Sequence, residues 1–162
     1  MLPGIDSSIM VGLGSIRPSK IGSEKTAQNS ANHSSLTITN HIVAAGTKLL
    51  VVRIALSSNG AETISSVVWN GAQTLTAGPS VINNDGSNYS LAAIYYFKSP
   101  TVATGNIVIT YDTVVNDSFA VATNYQDTNA TTPNGGQVTG GAGTGTSIST
   151  SFTRTGENSY IV

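Results

Sequence analysis

The chain has no cysteine, so it can build neither a disulfide framework nor a thiolate site. Charge is scarce as well: Asp, Glu, Lys and Arg supply 9% of the 162 residues, against about 25% in an average globular protein. No run approaches the roughly 20 apolar residues of a membrane helix, so membrane insertion is not expected. The opening MLPGIDSSIMVGLGSIRPSK lacks the basic start and unbroken apolar stretch of a secretion signal, being interrupted at Pro3, Gly4, Gly12 and Gly14. The net charge is −1, and the basic residues are scattered. No patch is laid out for phosphate contacts, so nucleic acid is not an expected partner. Arg17, Lys20 and Lys25 fall in the N-terminal arm, where solvated charge is the plainer explanation.

Chemistry-bearing patterns are equally thin. The two histidines, His33 and His41, have no third partner and no HExxH spacing, which leaves a zinc site short of ligands. There is no G-x-S-x-G elbow for a serine nucleophile. Asp112 and Asp117 flank one turn and read as solvated turn residues, not as two carboxylates facing across a cleft. Asn83-Asn84-Asp85-Gly86 offers oxygen atoms to calcium but no bidentate Glu at suitable spacing. The glycine-rich Gly140–Gly145 precedes SISTSF, a strand pattern, where a nucleotide loop needs a helix. These residues predict no catalytic group, no cofactor and no metal, and hence no enzyme.

What is present is Ser, Thr, Asn and Gly, a composition common in extracellular β-proteins and virus particles. Residues 1–33 read as an arm with at most short strands. Apolar residues then alternate. In KLLVVRIALS (48–57), Leu50, Val52, Ile54 and Leu56 form one wholly apolar face, and Leu49, Val51 and Arg53 a mixed one. ISSVVW (64–69) leads into Asn70-Gly71, a strong hairpin signal, and then QTLTA (73–77). The Pro- and Asn-rich stretch from Gly78 to Asn88 reads as a loop. YSLAAIYYFK (89–98), NIVITY (106–111) and SFAVATNY (118–125) are further strands. Leu50, Val52, Ile54, Leu91, Ile107, Ile109, Phe119 and Val121 are the expected core. Recurrent strands between turn signals, with no sustained helical period, predict an all-β antiparallel sandwich, jelly-roll or Ig-like, without a long helix, over residues 34–162. The terminal SYIV reads as a strand that either closes an edge or continues in a longer natural chain.

The segments KLLVVRIAL, SSVVWNGAQTLT, SLAAIYYFKSPTVATGNIVITY and AVATNYQDTNATTP together resemble a recurrent β-sandwich domain of phage structural proteins and large bacterial surface proteins. The match covers about residues 36–133. The resemblance implies a sandwich with a structural or adhesive role and implies no catalytic residues.

Two functions follow as expectations. One is a structural protein of a phage-like virion, made without an export signal, whose partners are other structural proteins or copies of itself. Its arm residues Leu2, Ile5, Ile9, Met10, Val11, Leu13 and Ile16 would supply assembly contacts, because so many apolar side chains are costly in a solvated tail. The other is a carbohydrate-binding or adhesin module at an extracellular surface, with Trp69, Tyr96 and Tyr111 as candidates for stacking on surface glycans; Trp69, just before the hairpin turn, reads first as the large plug of the sandwich core. Sequons at Asn32, Asn88, Asn116 and Asn129 arise readily in a chain so rich in Asn, Ser and Thr.

Overall fold

The computed structural model describes residues 18–84, 86 and 88–128. Among these described residues nine strands follow in order: β1 (Ser19–Asn29), β2 (His33–Val43), β3 (Leu49–Ser58), β4 (Ile64–Trp69), β5 (Gln73–Thr74), β6 (Thr76–Asn84), β7 (Tyr89–Lys98), β8 (Ala103–Val115) and β9 (Asp117–Gln126). They form a five-stranded sheet, β1-β9-β3-β7-β6, and a four-stranded sheet, β2-β8-β4-β5. Every pairing is antiparallel. The described residues contain no helix.

The pairing is nested. β1 pairs β9, β2 pairs β8, β3 pairs β7 and β4 pairs β5, with β6 added beside β7. A chain paired this way is one long ribbon folded back and wound into two sheets. That is jelly-roll topology; an Ig-like sandwich is not nested in this manner.

The turn at the ribbon's centre follows local chemistry. Asn70 and Gly71 both take left-handed backbone angles, φ 50° and 71°, and the Trp69 carbonyl accepts from the Ala72 amide at 3.2 Å. These are the signs of the primed hairpin turn that Asn-Gly favours. Gly105 lies against this tip, where an added Cβ would crowd the Asn70 side chain and force it to shift.

The core fills the space between the sheets. Leu50, Val52, Ile54 and Leu56 of β3 face Ile38 and Val43 of β2, Val67 and Trp69 of β4, and Ile107 and Ile109 of β8, all buried. Six of the eight expected core residues are buried; Phe119 and Val121 are not. The register shows why. Phe119 pairs with Ala55 and Val121 with Arg53, and directly paired residues share a face. The inner face of β3 is fixed by Leu50, Val52 and Ile54, so its alternates and their partners point outward. Ala120 and Ala122 occupy the inner face of β9, where small side chains leave room for Trp69 and the aliphatics opposite.

Two expectations of irregular structure give way to strands. Ser19–Asn29, inside the expected arm, is an 11-residue edge strand. Its hydrogen bonds to β9 depend on the partner's backbone, so its polar sequence carried little sign of them. Thr76–Asn84 is an edge strand rather than a loop, and its register slips between Ala77 and Ser80. Pro79 sits in that irregularity, where an edge strand tolerates it.

Candidate functional site

Sandwich strands normally present polar residues to solvent. The outer face of the five-stranded sheet departs from this. Val51 and Leu49 point away from the core yet are buried, and with Tyr125 they form a second apolar cluster, packed by Ile94 and Tyr96. Next along the strands, Val121, Arg53 and Ile94 form a row across β9, β3 and β7. Beyond it, Phe119, Ala55, Ala92 and Val81 line up across β9, β3, β7 and β6. Phe119 is 43% exposed, and Ala55 and Ala92 are exposed beside it. The apolar ground therefore runs from a buried cluster to an open one, with Arg53 in the row between them.

A charged knot reaches into this ground from the β1 side. Glu24 Oε1 accepts from Lys20 Nζ at 2.7 Å, Thr123 Oγ1 at 2.8 Å and Arg53 at 2.9 Å. The Lys20 hydrogen bond, then the Thr123 bond, with the Lys20 and Arg53 charges adding to them against partial desolvation, hold its carboxyl down at about 2. The knot joins edge strand β1 to β3 and β9. Its side chains remain well exposed, so its worth lies more in placement than in stability.

The arrangement closest to catalytic geometry lies elsewhere. Ser118 Oγ donates to His33 Nε2 at 2.7 Å, while His33 Nδ1–H donates to the Ala31 carbonyl. The carbonyl can only accept, so it fixes the tautomer that leaves Nε2 free to accept. The His33 ring also stands edge-on to Tyr111, 5.6 Å between centroids. Ser118 is buried at 5% exposure, on a strand hydrogen-bonded on both sides by β1 and β3. Its backbone amide sits within those ladders, where it is poorly placed to serve as an oxyanion donor. The pair instead pins the β1–β2 turn to β9.

The aromatic candidates separate. Trp69 is fully buried, its indole N–H reaching the Thr101 carbonyl at 3.4 Å. Tyr111 is buried too, and burial pushes its phenol up. Tyr111 is corrected from a stacking surface to a core plug, and Trp69 takes the core position preferred for it: each lies on the inward face of a four-stranded-sheet strand. Tyr96 alone of the three keeps exposed area, on the outer apolar face. Asn84 Oδ1 accepts from the Gly86 amide at 2.9 Å; Asp85 lies outside the described residues, as do Leu2, Ile5, Ile9, Met10, Val11, Leu13 and Ile16 of the arm, the Gly140–Gly145 stretch and the terminal SYIV. Among the described residues no three His, Asp or Glu gather as metal ligands.

The outer apolar face left a sign in the sequence: KLLVVRIALS and YSLAAIYYFK carry large apolar residues on both alternating faces. The Glu24 knot left none, because Glu24, Arg53 and Thr123 are distant in the chain and meet only through strand pairing. No family model, curated protein or solved structure matches the chain.

Proposed function

We propose that this chain is a non-enzymatic structural protein of a phage-like virion, a capsid decoration, spike or tail-associated subunit, that acts by protein–protein assembly. The observation that carries the reading is the outer face of the five-stranded sheet, where Phe119, Ala55 and Ala92 extend a buried apolar cluster into solvent. An exposed apolar row of this kind, with a charged group beside it, offers both apolar burial and a polar contact to a partner. Its partners are neighbouring structural subunits or further copies of the chain, on a particle or extracellular surface. Jelly rolls serve viral capsids and lectins alike, and that analogy supports the class without selecting within it. The charge-poor, cysteine-free composition agrees with a particle protein.

The test replaces Phe119 with Asp. The monomer should fold as before, since Phe119 packs no core, and incorporation into particles or oligomers should fall at least tenfold by sedimentation or size exclusion. Unchanged assembly sinks the reading. The glycan-binding reading rests on Tyr96 alone among the three aromatic candidates. Glycan-array binding that Tyr96→Ala abolishes would favour it instead.

A further inference from the structure

His41 lies on β2, in the four-stranded sheet, and is fully buried. Its Nε2 meets Asn124 Oδ1 at 3.0 Å, and Asn124 belongs to β9 in the other sheet. The contact is therefore a polar strut between the two layers. Asn124 Nδ2 donates to the Ile42 carbonyl at 2.7 Å. A carbonyl can only accept, so the amide orientation is fixed, Oδ1 faces the ring, and His41 must carry its proton on Nε2. Nδ1 is left unprotonated, buried and without a hydrogen-bond partner among the described residues. The Trp69 ring stands edge-on at 5.7 Å between centroids, and Gly105 is the register partner on β8. A proton added at Nδ1 would place a charge here with no acceptor for its N–H.

We propose that His41 is an acid-sensitive latch: protonation at Nδ1 drives the ring from its pocket and parts β2 from β9, loosening that side of the sandwich in mild acid.

The groups around the ring agree. From β9 comes Asn124, from β4 Trp69 and from β8 Gly105, none of which ionises in this range. The charged neighbour is Lys25 of β1. Burial holds the imidazole below its ordinary value of 6.5; the Asn124 bond opposes this, and Lys25 reinforces it. The sign follows. Above 6.5 the ring is neutral in folded and unfolded chains alike, and the strut contributes fully. Below 6.5 the unfolded chain binds the proton first. The unfolding constant then rises by up to about tenfold per pH unit, until the depressed folded value is reached. Glu24 and Asp112, both lowered carboxylates, titrate at more acid pH.

The experiment follows the full chain between pH 7.5 and 5. Nitrogen-15 spectra of the His41 ring should show Nδ1 unprotonated at pH 7.5 and no titration near 6.5 while the protein stays folded. In denaturant melts the wild-type unfolding constant should rise about tenfold or more between pH 7 and 5. His41→Leu should flatten that rise. A ring protonated at Nδ1 at pH 7.5, a folded-state titration at 6.5 or above, or a wild-type unfolding constant flat across the range overturns the latch. If His41→Leu does not fold, the ring spectra and the wild-type melts decide alone.

Discussion

The two outer faces of this sandwich are built from the same kind of strand and end in opposite chemistry. On the five-stranded sheet the outward row is Phe119, Ala55, Ala92 and Val81, beside Val121 and Ile94. On the four-stranded sheet the outward rows are Thr37, Val108, Val68 and Thr74, and then Ser35, Thr110 and Ser66. The second face hydrates through hydroxyls and carries no charge in these rows. The first holds water chiefly through the Glu24–Lys20–Arg53 cluster and has little else in the Phe119 row with which to do so. Both sheets bury their inner faces against one core, so the contrast owes nothing to folding needs. Exposed apolar residues also occur on strands of the four-stranded sheet, Ile42 on β2 and Val114 on β8, but the Phe119 row adjoins a buried outer cluster and so offers favourable burial to a partner.

The comparison can be broken most forcefully at what the faces share. Trp69→Ala should cost about 3–5 kcal/mol and Ile54→Ala about 2–5 kcal/mol, read as loss of midpoint in denaturant melts at constant slope. A loss below about half a kcal/mol at either site would mean that the shared core is misplaced. The next effect separates the faces. Phe119→Asp should lower assembly at least tenfold, whereas Thr110→Asp should leave it intact, and each should shift stability by about 1 kcal/mol or less, as outward strand positions do. Equal assembly defects from both would erase the distinction. The smallest effect concerns the rim. Glu24 has a depressed folded value, so its contribution is present above the ordinary carboxylate range and is lost as pH falls toward the folded value. Glu24→Gln should lower stability by less than about 1 kcal/mol at neutral pH, less again in high salt, and should blunt the loss below about pH 4.5.

Much of the core was legible because β3, β7 and β8 alternate regularly and bury Leu50, Val52, Ile54, Leu91, Ile107 and Ile109. β9 was not. Hydrophobicity alone assigns Phe119 and Val121 inward, since they are larger than Ala120 and Ala122. Which face is inner depends on pairing with β3, which one strand cannot announce. β1 stayed hidden for a related reason: SKIGSEKTAQN has no apolar rhythm, because an edge strand can be held by backbone hydrogen bonds and a few side-chain ties. The assembly face was half legible. Leu49, Val51, Ile94 and Tyr96 stood in plain alternation, but their union with Phe119 needed the strand order. His41 was visible as one of two histidines, and nothing in the sequence paired it with Asn124, 83 residues away.

The nested pairing also sets an order of events. β9 lies between β1 and β3, and Ser19 faces Gln126 across 107 residues of chain. While the chain emerges from a ribosome, β1 and β3 each wait for a neighbour that is the last described strand to be made. Closing so long a loop has an entropic cost that local contacts do not offset in advance. Folding is then expected to be slow and largely post-translational, beginning near the Asn70-Gly71 turn and zipping outward. An aliphatic β3 with an unpaired edge is exposed throughout that interval.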